Sequence, residues 1–302
     1  MMKFVYVVTG NENNFFVEQT WVSIWSLKYY NPDAEVIIAT DKSTERYIKT
    51  KPELVKLCSD IISISFDDGF TEMLKSRWLK TKLRELIRGT FVYLDGDTII
   101  TNSLAELSNF KEDVGMILDM HVCFDEHYHR NRVLKFMKKI YGINEVNTNN
   151  YYNGGFFITN DTPSSRAFFN GWYDNWERSR EKGWPYDQIA LLKACNDFPG
   201  TVRTISGIYN CQLSYSLKYL YDAKLVHFQR IKKFGDPICL FYSNDIFRKI
   251  KEQGFIGEEE IEQIIHCKSG LSARTSPINY QEFRLLNSRS NAILKILYKL
   301  MH

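Results

Sequence analysis

The sequence predicts an α/β fold whose largely parallel sheet is covered on both faces. Three observations carry this. Short continuous apolar runs alternate with helical periodicities over the first hundred residues, Gly, Pro and Asn punctuate the junctions, and no internal repeat or low-complexity linker interrupts the pattern.

The elements follow in order. Residues 5–8 form an apolar strand ended by Thr9-Gly10-Asn11, and a helix follows with Val17, Trp21, Ile24 and Trp25 on one face. Asn31-Pro32-Asp33 stops it, because Pro cannot continue a helix. Residues 35–39 are the next buried strand and close a βαβ unit. After a further helical segment comes a strand at 61–65, then a helix through Leu74, Trp78, Leu83 and Ile87 ended by Gly89, then a strand at 91–94. Strands are predicted at 114–118 and 155–159. Thr162-Pro163 is a cap with Pro at the first helical position, opening a helix to about Arg180. A short helix at 187–194 and strands at 202–205 and 224–228 follow, and residues 240–302 read as mainly helical.

Composition excludes several classes. With 39 Lys and Arg against 36 Asp and Glu, the net charge of +3 gives no reason to expect a nucleic-acid partner. An apolar fraction of 44% argues against disorder. The N-terminus enters a strand pattern without a secretion signal, and no run reaches the ~18 apolar residues that a membrane span needs. Six cysteines without a C-x-x-C pair read as reduced thiols, so a cytoplasmic location is expected. The lysine-spaced apolar segment 291–302 either packs on the domain or gives peripheral contact with an acidic membrane surface. The 18 Tyr, 20 Phe and 6 Trp are either core or sugar-stacking rings.

The sharpest chemical signal is Asp95-Gly96-Asp97, directly after the strand at 91–94. Ligands collect at the carboxyl ends of strands in open α/β sheets, and two carboxylates one residue apart there can face one hard cation. Haloacid-dehalogenase phosphatases also place two aspartates after an apolar strand, but they want Asp-x-Asp-Gly-Thr, and here the glycine lies between the aspartates. His121, Cys123, Asp125, Glu126, His127 and His129 carry zinc-ligand chemistry at a spacing that matches no zinc motif. A loop lining an acceptor site is the preferred reading of that segment.

Four patches together resemble the retaining glycosyltransferases of family 8. They are Thr9-Gly-Asn-Glu-Asn-Asn14-Phe-Phe16; Ser76-Arg77-Trp-Leu-Lys80 before Asp95-Gly96-Asp97; Asn153-Gly154-Gly155 followed by Asp187-Gln188; and His227 with Lys233 six residues beyond. The resemblance spans about residues 3 to 235. It implies a GT-A fold, the Rossmann-like fold of nucleotide-diphospho-sugar transferases, over residues 1–238, with a mainly helical C-terminal extension at 239–302. It also implies that Asp95, Asp97 and His227 bind Mn²⁺ or Mg²⁺, with imidazole favouring manganese; a rim histidine bound only by hydrogen bonds is the plainer reading of His227.

By the same resemblance, Thr9, Asn14 and Phe16 hold uracil, Arg77 and Lys80 reach phosphate or sugar hydroxyls, a solvated basic face over residues 75–82 being the equal alternative, and Asn153 and Gly154 border the donor sugar. Lys233 stabilises the leaving diphosphate. Asp187 and Gln188 are the candidate catalytic pair near the anomeric carbon. Gln188 is a poor nucleophile, which favours front-side displacement over a covalent intermediate. Gln229-Arg230 departs from the small residues usual after the family's histidine. The implied function is metal-dependent hexosyl transfer from a UDP-sugar to a glycan or lipid-linked acceptor. A non-catalytic sugar-nucleotide or glycan-binding protein of the same fold is the alternative.

Overall fold

A computed structural model describes residues 2–216, 218–228 and 244–268. Along the chain run β1 (Lys3–Val7), α1 (Phe16–Tyr30), β2 (Glu35–Asp41), α2 (Lys42–Lys49), α3 (Pro52–Leu57), β3 (Asp60–Ile64), α4 (Glu72–Leu86), β4 (Phe91–Leu94) and β5 (Thr98–Ile100). They are followed by β6 (Val114–Leu118), α5 (Arg130–Tyr141), β7 (Tyr152–Thr159), α6 (Pro163–Glu181), α7 (Gln188–Asp197), β8 (Val202–Thr204), β9 (Cys211–Gln212), β10 (Leu225–His227), α8 (Asn244–Gln253) and α9 (Glu258–Ile265).

Strand alternation sorts the apolar residues into two cores. From β1, Phe4 and Tyr6 face one side with Trp21 and Ile24 of α1, while Val5 and Val7 face the other with Leu79 and Leu83 of α4 and Trp172 and Trp176 of α6. Helices therefore cover both faces. Trp21, Trp172 and Trp176 are buried outright. Ile246, Phe247 and Ile250 of α8 and Ile264 of α9 join the α1-side core, so the described C-terminal part is helical and packs on α1. The segment 291–302 lies outside the described residues. Among the described residues, no helix is long and apolar enough to cross a membrane.

The main sheet has the order β3-β2-β1-β4-β7-β6-β8, parallel throughout except that β7 runs antiparallel to β4 and β6. That reversal positions the site. It sets the start of β7, at Asn153-Gly154-Gly155, beside the carboxyl end of β4, where the Asp95 amide donates to the Gly155 carbonyl at 2.9 Å. A second sheet, β5-β10-β9, pairs Thr98 with His227. It is pinned to α1 by a hydroxyl bond of 2.7 Å between Ser23 and Thr98, and by the Ile100 amide donating to Ser26 at 3.0 Å.

Two differences from the sequence reading have clear causes. The helical segment between β2 and β3 is split into α2 and α3, with Pro52 at the start of the second, where its missing N–H costs nothing. No element is assigned by the sequence reading between 119 and 154, yet α5 forms there. It buries Val133, Met137 and Ile140 in a third small core and ends at Gly142, which is left-handed at φ 75°.

Candidate active site

The Asp95-Gly96-Asp97 turn joins the two sheets. Asp95 leaves β4, Asp97 precedes β5, and β10 lies antiparallel to β5 so that the Phe228 amide donates to the Asp97 carbonyl at 2.9 Å. His227 Nε2 is thereby 3.1 Å from Asp97 Oδ1 and 3.9 Å from Asp95 Oδ2. One ligand atom from each of the three residues lies within 4.8 Å of the others. Two carboxylate oxygens and one imidazole nitrogen are a donor set suited to a hard or borderline divalent cation such as Mn²⁺.

Burial alone would lower the His227 pKa, but the charge and hydrogen bond of Asp97 outweigh it and hold the imidazole above its ordinary value. Conversely, burial would raise Asp97, and His227 holds it below the usual carboxylate range.

Close approach here requires glycine. A Cβ on Gly155 would lie 2.4 Å from His227 Cε1 and 2.8 Å from Asp95 Oδ2. At Gly96 it would lie 2.3 Å from the Thr20 hydroxyl, so α1 also dictates this residue.

α4 supplies the positive charge behind the turn. Lys80 is only 3% exposed, with Nζ 3.3 Å from Asp95 Oδ1 and 3.9 Å from Asp187 Oδ2. Arg77 Nε stands 3.0 Å from Asp187 Oδ1. These two cations therefore bridge the Asp95 turn to the Asp187-Gln188 segment instead of forming a solvated face. That segment is fixed from α6, where Trp172 Nε1 donates to the Asp187 carbonyl at 3.1 Å and Trp176 Nε1 to the Pro185 carbonyl at 2.9 Å. Gln188 Nε2 donates to the Tyr152 carbonyl. The Gly154 position faces Lys80 Nζ and Asp187 Oδ2.

A cleft of about 360 Å³ opens beside the turn, lined among others by Thr9, Phe16, Glu72, Arg77, Asp95 and Asp97. Phe16 is 42% exposed. Thr9 reaches the cleft, though its hydroxyl donates to the Glu72 carbonyl at 2.7 Å. Asn14 is not among the lining residues. Its amide donates to Glu72 Oε2 at 3.2 Å, and its Oδ1 accepts from the Phe16 amide at 3.3 Å, which shapes the loop entering α1. Asn153 is nearly saturated: Oδ1 accepts from the Gly155 amide at 2.9 Å and from Asn210 Nδ2 at 3.0 Å, while Nδ2 donates to Asp119 Oδ1 at 2.8 Å. Lys233 lies outside the described residues.

Three residues of the site have no role in the sequence reading. Glu72, Asp119 and Asn210 are single polar residues with no motif around them, and only the tertiary pairing of distant strands gives them a place. The residues from His121 to His129 do not converge. His121 Nε2 accepts from the Gln212 amide at 3.2 Å, His127 bonds Asp119 at 3.0 Å, and Cys123 is exposed. Among the described residues, the only group of three or more His, Cys, Asp or Glu able to share a metal is Asp95, Asp97 and His227.

The family profile described as glycosyl transferase family 8 matches residues 16–234. No curated protein sequence matches the chain. Among solved structures, the galactosyltransferase LgtC, in complex with donor and acceptor sugar analogues, aligns with a TM-score of 0.56 at 18% identity, covering 87% of this chain and 100% of that one. Mouse xyloside xylosyltransferase 1, in its apo form, aligns with a TM-score of 0.52 at 12% identity, covering 77% and 99%. The glycosyltransferase GlyE of Streptococcus pneumoniae TIGR4 aligns with a TM-score of 0.53 at 14% identity, covering 92% and 66%.

Proposed function

We propose a donor, a metal and a stereochemical course from the premise that this chain belongs to glycosyl transferase family 8, whose profile its residues 16–234 match. It is a glycosyltransferase, and its fold is GT-A. The donor is a UDP-hexose, the acceptor a glycan or a lipid-linked saccharide, and the anomeric configuration is retained.

The observation that carries the proposal is the meeting of Asp95, Asp97 and His227, the two aspartates lining a cleft that Phe16 also lines. Asp95, Asp97 and His227 would hold Mn²⁺ or Mg²⁺. When bound, the cation supplies a positive field for the two phosphates of the donor and for the charge that develops as the diphosphate departs. An exposed Phe16 ring at a cleft of this size fits a planar base, and the uridine would lie between it and the β1 end at Thr9.

The remaining roles belong to groups around Asp187. With Arg77 at 3.0 Å and Lys80 at 3.9 Å, the Asp187 carboxylate has its charge balanced, so it serves better as an acceptor for sugar hydroxyls than as a free nucleophile. Gln188, tied to the Tyr152 carbonyl, borders the reacting centre as a rigid neutral group. Neither is a poised nucleophile, which supports front-side displacement, with the departing phosphate oxygen taking the proton of the acceptor hydroxyl. Lys233 is proposed to meet the same phosphate. Phosphatase chemistry at Asp95 has no support, because the family profile that matches is that of a glycosyl transferase and the glycine lies between the two aspartates.

Thermal unfolding with UDP, with and without Mn²⁺, on the wild type and on Asp97→Ala tests the proposal. A ligand that binds only the native state raises the midpoint. A metal-dependent UDP shift is expected in the wild type and not in the variant; no such shift in the wild type would reject a UDP-sugar site. A UDP-sugar hydrolysis panel then identifies the hexose and separates turnover from mere binding.

A further inference from the structure

His227 is held from behind by a chain of polar side chains that no part of the proposed chemistry uses. Its Nδ1 is 2.9 Å from Asn210 Oδ1. Asn210 Nδ2 donates to Asn153 Oδ1 at 3.0 Å, and Asn153 Nδ2 donates to Asp119 Oδ1 at 2.8 Å. Asp119 Oδ2 is 3.0 Å from His127 Nε2, and His127 Nδ1 accepts from the His129 amide at 3.1 Å. Asn210 is wholly buried, and Asn153, His127 and His227 are nearly so.

The polarity of this chain is fixed, although amides and imidazoles can each bond in two senses. A backbone N–H can only donate and an ionised carboxylate can only accept. Since the Gly155 amide donates to one end of Asn153 at 2.9 Å, that end must be the oxygen, and the nitrogen must face Asp119. Asn210 can then offer Asn153 Oδ1 only its nitrogen, which turns its own oxygen to His227. An oxygen there accepts, so His227 carries its proton on Nδ1, and Nε2 is the atom left to face Asp95 and Asp97. The far end agrees: the His129 amide occupies His127 Nδ1, so the proton on His127 is at Nε2, directed at Asp119. Each local choice is forced by a group that has none.

We propose that Asn210 is a positioning residue for His227, presenting Nε2 to the cation, and that the Gly155 amide and Asp119 set its orientation through Asn153. This rests on Asp95, Asp97 and His227 being metal ligands. A partner on the second ring nitrogen fixes the tautomer and orientation of a ligating histidine, and its removal typically weakens metal binding 10–100-fold. The chain also assigns a part to the histidine-bearing segment after β6, since His127 steadies the carboxylate on which Asn153 depends.

The test is Mn²⁺ affinity, read from free-ion electron paramagnetic resonance at saturating UDP, alongside metal-free thermal unfolding. Asn210→Leu keeps the side-chain branching and heavy-atom count, though not the volume, and removes the acceptor; it is expected to weaken Mn²⁺ about tenfold or more. Asn210→Asp keeps an oxygen acceptor for Nδ1–H but sets its second oxygen against Asn153 Oδ1, so it is expected to weaken Mn²⁺ less than leucine does. If the leucine variant does not fold, Asn210→Ala replaces it.

Asp119→Asn, remote from the metal ligands, is expected to weaken Mn²⁺ in the same sense by a smaller factor. A leucine variant with wild-type affinity overturns the proposal, as does equal weakening by leucine and aspartate, which would show that the acceptor for Nδ1–H does not set the affinity. Unchanged affinity in Asp119→Asn overturns the orienting role of that end. A wild type that binds no Mn²⁺ overturns the metal-site reading itself and this inference with it; the other outcomes touch only the positioning role.

Discussion

Lys80 stands with its ammonium nitrogen 3.3 Å from Oδ1 of Asp95, so the helix before β4 supplies the counter-charge for the first carboxylate of the turn. A cation bound by Asp95, Asp97 and His227 would share that carboxylate with Lys80. Lys80→Met should therefore lower the metal-free midpoint. Breaking a fully buried pair costs ~3–5 kcal/mol, and about 1–3 kcal/mol is expected here because the Asp95 side chain is 27% exposed. Added Mn²⁺ should restore more stability to the variant than it gives the wild type. Equal Mn²⁺ shifts in the two proteins would show that Lys80 and the cation do not compete for Asp95.

Two adjacent glycines make a controlled pair. At Gly155 a Cβ would meet His227 Cε1 at 2.4 Å and Asn153 Oδ1 at 2.9 Å, all in packed surroundings; at Gly154 its nearest neighbour would be Lys80 Nζ at 3.4 Å. Gly155→Ala should cost about 1–3 kcal/mol in denaturant unfolding, as overpacking does, and abolish the Mn²⁺-dependent UDP shift. Gly154→Ala should retain most of both. The order of the two variants is the measurement, and its reversal would place the tight approach elsewhere.

Legibility in the sequence divides along physical lines. Apolar runs and their punctuation announced β1 to β4 because burial on both faces writes itself into the local sequence, and Asp95-Gly96-Asp97 stood out because the chemistry is local. The reversed β7 was not legible. Nothing in residues 152–159 states a direction, which follows from how β4 and β6 recruit the strand. α5 was missed because its apolar face serves a small separate core under a polar surface. Asn210 and Asp119 left no trace at all, since a lone Asn or Asp acquires its role only from partners far along the chain. The anchoring of Asn14 by Glu72 and the Phe16 amide is likewise not written in the loop sequence, since Glu72 lies far along the chain on α4.

Metal binding should depend on pH in a defined direction. In the metal-free protein the charge and hydrogen bond of Asp97 overcome burial and raise the His227 pKa, while His227 lowers that of Asp97. The raised imidazole contributes stability below its unfolded value and loses it as pH rises through the folded one. The lowered carboxylate contributes above its unfolded value and loses it in acid. The ion pair is thus strongest where the cation must displace the Nε2 proton. Mn²⁺ affinity should climb as pH rises past the ordinary imidazole value of ~6.5 and continue to climb above it, because the folded value is raised. Asp97→Asn, which removes the charge that raises His227, should bind more weakly but with a flatter profile, and a profile as steep as the wild type's would assign the titration to another group.

A second pH dependence belongs to stability alone. His121 sits in the left-handed region at φ 59°, next to Met120 at φ 55°, and its Nε2 accepts from the Gln212 amide. A charged imidazole cannot accept there. Burial pushes its pKa down to about 4, against the pull of Asp119 and with help from Lys218 and His227. Between that value and the ordinary ~6.5, the unfolded chain binds a proton that the native protein does not, so stability falls as pH falls through this window. At about 1.4 kcal/mol per unit the loss is bounded near ~3 kcal/mol, and about 2 kcal/mol is expected for a ring that is only partly covered.

His121→Asn is the informative variant, since asparagine tolerates positive φ and offers an oxygen acceptor that does not titrate in this range. Denaturant unfolding at about pH 7 and about pH 4.5 should show the wild type losing about 2 kcal/mol more than the variant. Equal losses in the two proteins would mean that His121 takes up its proton without leaving its place, and the strained turn would then owe nothing to a neutral imidazole.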